Sequence, residues 1–167
     1  MDEDRAAAAL PLGERFADGP FPPHHHGCFG CGPSNPASPL IGFVRRGDTV
    51  SGTFMLDHRH QGAPGVAHGG IVAAALDEAC GAILVPLALP AVTVKLDVDF
   101  RAPARLHREF VVTSLLSGRD GRKLFIDAVL TDGDTVVATG RAIFVEVDPA
   151  HFTRLGADPG ELSSVGA

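Results

Sequence analysis

The segment Gln61–Val85, QGAPGVAHGGIVAAALDEACGAILV, decides how this chain is read. A glycine-rich loop closes on His68-Gly69-Gly70 and runs straight into the most apolar helix-forming stretch, expected as a helix over Ile71–Val85. Two adjacent carboxylates, Asp77 and Glu78, stand in it between Ala73-Ala74-Ala75-Leu76 and Ala79-Cys80. A carboxylate among small apolar side chains is costly to bury, so the pair asks for a purpose. Pro86 and Pro90 are expected to end the helix, because a proline ring has no N–H to continue the ladder.

The flanks read as strands. Leu40–Leu56 predicts two short ones reversed at Arg46-Gly47-Asp48. After the helix, Val92, Val94, Leu96, Val98 and Phe100 alternate with Thr93, Lys95, Asp97, Asp99 and Arg101, a period of two. Residues 109–147 supply three more strands, with turns at Gly118-Arg119-Asp120-Gly121 and Asp132-Gly133-Asp134. The order β-β-α-β-β-β-β predicts an α+β domain over residues 40–148. Its six-stranded antiparallel sheet, one meander, would wrap a single long helix. A helix apolar nearly all round suits that enclosure, and the sheet's edges make self-association expected. Residues 1–39 form a Pro- and Gly-rich arm with one short helix near Asp4–Leu10, and residues 149–167 a polar tail expected to fray.

Composition narrows the function. The chain has 167 residues and 45% hydrophobic content, enough for one domain with a real core. Its 14 basic and 20 acidic residues give a net charge of −6, with no basic block and no Trp or Tyr, so no nucleic-acid partner is expected. No secretory leader is evident at the N-terminus. The apolar run is broken by Asp77-Glu78, Pro86 and Pro90, a poor membrane span. Three cysteines without such a leader read as thiols of a cytoplasmic protein rather than a disulfide framework.

Within the arm, HHHGCFGCG sets Cys28 and Cys31 at C-x-x-C spacing beside His24, His25 and His26. Tetrahedral zinc wants a second ligand pair at a distance, and neither another C-x-x-C nor an H-x3-5-H exists. The pair therefore reads as two half-buried thiols in a glycine turn, and no metal or cofactor is expected.

These features resemble the hotdog-fold acyl-CoA thioesterases, in particular the phenylacetate-pathway (PaaI-like) group. The resemblance is carried by His68-Gly69-Gly70 followed after six residues by Asp77, by the leader CFGCGPSNP at Cys28–Pro36, by Gln61-Gly62-Ala63-Pro64-Gly65, and by Thr93 and Phe100–Pro103. It spans about residues 28–147. It implies hydrolysis of an acyl-CoA without a cofactor, in a homodimer or homotetramer whose active sites lie at the subunit interface.

The residues can perform that chemistry. Unpaired amides and the positive dipole end at a helix start can polarise a thioester carbonyl, and Gly69 and Gly70 let it approach. The resemblance makes the Gly69 N–H the donor and gives His68 the role of shaping the loop. Asp77, about two turns on, is the expected general base or nucleophile, unless it serves a salt bridge to Lys95, Arg101 or a partner chain. Glu78 projects about 100° away around the helix and reads as a secondary polar contact to substrate. The resemblance also gives Thr93 the positioning of the attacking water; by pattern alone it faces solvent. Gln61 offers an amide to the substrate, and Arg101 and Arg105 offer cations to the phosphates of coenzyme A. His58, His60, His107 and His151 read as surface residues. The competing function is a hotdog module that binds an acyl thioester without turning it over; a hydratase would want a His–carboxylate pair that this pattern lacks.

Overall fold

The computed structural model describes residues 9–13 and 16–158. The helix opens two residues earlier than the apolar run suggests, as α1 (Gly69–Ala82), and after Ile83 the chain makes one further turn, α2 (Leu84–Leu87). Pro86 thus does not end the helix. It lies in the first turn of α2, where a missing N–H costs no intrahelical bond. The stop comes at Ala88, left-handed at φ 51°, with Pro90 just beyond.

The strands are β1 (Gly19–Pro20), β2 (Gly42–Arg46), β3 (Thr49–Met55), β4 (Gln61–Ala63), β5 (Val66–Ala67), β6 (Ala91–Phe100), β7 (Glu109–Asp120), β8 (Lys123–Asp132) and β9 (Thr135–Glu146). The main sheet is antiparallel, in the order β1-β2-β3-β7-β8-β9-β6. It has seven strands rather than six, because two residues of the arm pair with Arg45 and Val44 at its edge. It is not one meander either. The helix carries the chain across the sheet to its far edge, so β6 pairs with β9 while β7 returns beside β3.

Turn chemistry is local and mostly as expected. Gly47 and Gly133 take positive φ between paired strands, as the expected turns require. The third turn is displaced: Gly118, Arg119 and Asp120 belong to β7, Gly118 beside a register shift, and the reversal falls on Gly121-Arg122. β4 and β5 form a small separate hairpin ahead of α1.

The arm is held more firmly than its composition suggests. The buried Arg45 guanidinium donates to the carbonyls of Gly13, Phe16 and Gly47, and Leu12 is fully buried. Of the short helix expected near Asp4–Leu10, only residues 9 and 10 are described, and they are not helical. The tail forms one turn of helix, α3 (Ala150–Arg154), before the described residues end. His60 is buried rather than on the surface: it closes a capping box with Asp57, and its carbonyl accepts from the His68 amide.

Gly69–Leu87 is long and apolar enough to cross a membrane by composition, but here α1 packs against β7, β8 and β9. Val72, Ala75, Leu76, Ala79 and Cys80 form the buried stripe, recurring every three or four residues. Small groups set how close the helix lies. A Cβ on Gly140 would stand 3.3 Å from that of Leu76. The buried Ser114 hydroxyl, from β7, donates to the Ala79 carbonyl at 2.6 Å. Ser114→Ala leaves that carbonyl without its partner in a dry interface and is expected to cost about 1–3 kcal/mol. Urea unfolding measures it, and an unchanged midpoint would show that the bond does not anchor the helix.

Candidate active site

Strict alternation along β6 would set Thr93 with Lys95 and Asp97, away from the helix. The β6–β9 register instead runs Thr93↔Phe144 and then Lys95↔Ile143, leaving Val94 as an extra, bulged residue. One extra residue reverses the side-chain phase. Thr93 therefore shares the helix-facing side with Leu96 and Val98, which pack on the core, and Val94 is 57% exposed. From there the Thr93 hydroxyl donates to Asp77 Oδ1 at 3.0 Å. The sequence contains both residues; nothing in it signals the bulge that joins them.

Asp77 and Thr93 line a cleft of about 190 Å³ with His24, Glu78, Gly81, Val85, Leu89 and Phe144. Burial holds the Asp77 carboxyl above its ordinary value, against the downward pull of the Thr93 bond, and negative charge at Cys28 adds to the rise. A carboxylate poorly hydrated yet fixed in direction is suited to taking a proton.

The start of α1 forms a second cluster. His68 is the N-cap, and its Nδ1 accepts from the Gly70 N–H at 2.9 Å. That bond takes the Gly70 amide and the Nδ1 lone pair, so His68 holds the loop. Among the described residues the Gly69 N–H has no hydrogen-bond partner. The Phe100 ring lies 3.5 Å from the point where a Gly69 Cβ would be. Gln61 braces the loop, its Oε1 accepting from the Gly65 N–H at 3.1 Å. Arg101 follows Phe100, exposed, 3.8 Å from Asp99. Arg105 bridges in register to Val66 of the same loop and stays exposed, 3.5 Å from Asp132. Gln61, Gly69, Gly70, Arg101 and Arg105 thus gather at one end of the molecule. Asp77 does not join them: eight residues of helix separate it from Gly69, about 12 Å along the axis.

Glu78 turns to the arm. Its Oε2 lies 3.2 Å from Cys28 Sγ, and its Oε1 3.4 Å from His24 Nδ1. Sequence reasoning missed this meeting. C-x-x-C spacing was the available signal, but the carboxylate that completes the group sits fifty residues on, in a helix with its own reasons to exist.

The sequence model of the Thioesterase superfamily matches residues 64–142, from the hairpin before α1 into β9. The rat (Rattus norvegicus) acyl-coenzyme A thioesterase THEM4 is 34% identical over 91 residues, 53% of this chain and 39% of that protein. A crystallised thioesterase superfamily protein superimposes with a TM-score of 0.69 at 28% identity, covering 72% of this chain and 61% of its own. The seven-stranded sheet around α1 is the hotdog fold. The chain resembles the thioesterase superfamily across residues 64–142. It spans less than half the length of the curated superfamily relatives it matches. A hypothetical thioesterase protein from Streptococcus pneumoniae, solved with coenzyme A, shares the hotdog fold at a TM-score of 0.61 and 16% identity, over 64% of this chain and 88% of its own.

At the loop end of this hotdog domain, Asp132 receives Arg108 at 3.0 Å and Arg105 at 3.5 Å. The Arg108 bond, first of all, holds its carboxyl below the usual value. A carboxylate with a lowered folded value stabilises the fold above its unfolded value and stops doing so as pH falls through the folded one. Asp132→Asn is therefore expected to be less stable than wild type at neutral pH, the difference closing below about pH 4. Urea titrations across pH test this, and a difference independent of pH would contradict it.

Proposed function

We propose that the chain hydrolyses an acyl-CoA thioester, with Asp77 as the catalytic carboxylate and the Gly69 amide as the carbonyl donor. The observation that carries this reading is the Thr93–Asp77 bond at the cleft, which fixes a raised carboxyl on the helix whose first amide is unpaired. The rat relative's naming as an acyl-coenzyme A thioesterase and the pneumococcal neighbour's bound coenzyme A support the substrate class.

In this mechanism Asp77 takes the proton of a water, or attacks directly, at the carbonyl carbon. The oxyanion forms against the Gly69 N–H. The C–S bond then breaks, and the coenzyme thiolate takes the proton that Asp77 accepted from the water; on direct attack the mixed anhydride left on Asp77 is hydrolysed by a water, whose proton goes to the thiolate. One thioester must lie about 3 Å from both groups, yet the two are about 12 Å apart along one helix. The site is therefore composite. A second copy brings its Gly69 loop, with Arg101 and Arg105 for the phosphates, to the Asp77 of the first. The sheet edge at β6, with Val94 and Phe100 each 57% exposed, suits such a pairing. We place the protein in the cytoplasm, in keeping with its three cysteines, none in a disulfide.

A thiol-release assay over a panel of acyl-CoAs tests the reading. Asp77→Asn is expected to lower kcat/KM by about 10²–10⁴-fold with the fold intact. Binding without cleavage by the wild type would leave a non-catalytic thioester-binding module, and full turnover in Asp77→Asn would move the chemistry elsewhere. Gly69→Pro removes one amide at the first helical position, where proline is tolerated, and is expected to cost about 10²–10³-fold in kcat. Thr93→Val should lose about tenfold, one modest hydrogen bond, and Thr93→Ser should restore it; no rescue would give Thr93 a packing role only.

A further inference from the structure

The hydrolytic mechanism leaves four chemically rich side chains unused: His24, Cys28, Cys31 and Glu78. One donor atom from each lies within 4.8 Å of all the others. We infer that these four residues hold one zinc ion, which clasps the N-terminal arm to α1 beside Asp77.

The donor set is one that zinc takes: two thiolate sulfurs, an imidazole nitrogen and a carboxylate oxygen. Spacing agrees. Zinc bonds of about 2.0–2.3 Å in a tetrahedron put neighbouring donors about 3.3–3.8 Å apart. Here Cys28 Sγ lies 3.2 Å from Glu78 Oε2, Cys31 Sγ 3.4 Å from His24 Nδ1, and His24 Nδ1 3.4 Å from Glu78 Oε1. Small movements inward, not a refolding, would close the shell.

The loop is built to present those sulfurs. The Gly30 amide donates to Cys28 Sγ at 3.2 Å, the kind of outer bond that steadies a metal-bound thiolate. A Cβ on Gly30 would fall 2.4 Å from Glu78 Cγ, and one on Gly32 2.4 Å from the Cys28 amide nitrogen. Both glycines of C-F-G-C-G are thus required for the pair to turn toward the helix. Cys31 is buried, the Glu78 side chain is 13% exposed and that of His24 34%. Cys28 is half-buried, so the group lies at the edge of the core rather than sealed within it. Four protein ligands fill the coordination shell, so the ion is structural.

The site does not depend on turnover, and its test reads metal alone. Full-length protein without a histidine tag, purified without chelator, is expected to contain about one zinc per chain by elemental analysis. The chelated protein titrated with Co(II) should develop a thiolate-to-cobalt charge-transfer band and the intense visible bands of tetrahedral cobalt. Cys28→Ser with Cys31→Ser should abolish both signals. Glu78→Gln should weaken Co(II) binding by at least about tenfold, with far-UV circular dichroism checking that the variants fold. Three results would overturn the inference: reduced wild-type protein that takes up neither Zn(II) nor Co(II), zinc content unchanged in the double serine variant, or a cobalt spectrum without the thiolate band. The wild-type titration stands even if a variant fails to fold.

Discussion

The close seat of α1 on the sheet is the contact from which the rest of the molecule follows. Ala75, Ala79 and Gly140 keep bulk out of the interface, and Ser114 ties a helix carbonyl to β7 across it. A helix set this close brings its next face over the edge strand. There Asp77 meets Thr93 in a cleft, so burial strips part of the carboxyl's hydration while one directed bond remains. Larger side chains on the buried stripe would lift the helix and break that meeting without touching either residue.

Helix length imposes the second condition. The amide that can polarise a carbonyl and the carboxylate that can deliver water belong to one rigid rod, about 12 Å apart. Rigidity fixes each group well and forbids them from meeting within the chain. A composite site made by two copies resolves this, and the sheet ends at β6, the strand that carries both Thr93 and the Phe100 ring against Gly69. Glu78, one residue from the carboxylate, is directed to the arm instead. The same helical turn would then serve the chemistry and hold a metal clasp beside it, Asp77, Glu78 and His24 all lining one cleft.

What was legible in the sequence followed short-range rules. The glycine loop, the apolar helix, the alternating strands and the turn glycines 47 and 133 each write their structure within a few residues, so an α+β sheet around one helix could be read directly, and the hotdog fold followed from the family resemblance. The misses share a different cause. Two residues of β1 are too few to show a period. The passage of β6 to the far edge depends on where the helix delivers the chain. The bulge at Val94 looks like any strand valine, yet it alone decides which way Thr93 faces. His60 reads as one more surface histidine until the loop around Asp57 closes over it. Glu78 and the C-x-x-C pair each looked complete as something simpler, and only the fold sets them together.

Subunit complementation tests the central claim most directly. Asp77→Asn and Gly69→Pro are each expected to be inactive alone, for different reasons and with the fold retained. Unfolded, mixed in equal amounts and refolded together, half the dimers would be hybrid, each with one site holding an intact Asp77 from one copy and an intact Gly69 amide from the other. Thiol release is expected to recover to about a quarter of the wild-type rate. No recovery from a verified hybrid dimer would place both groups in one chain and contradict the composite site.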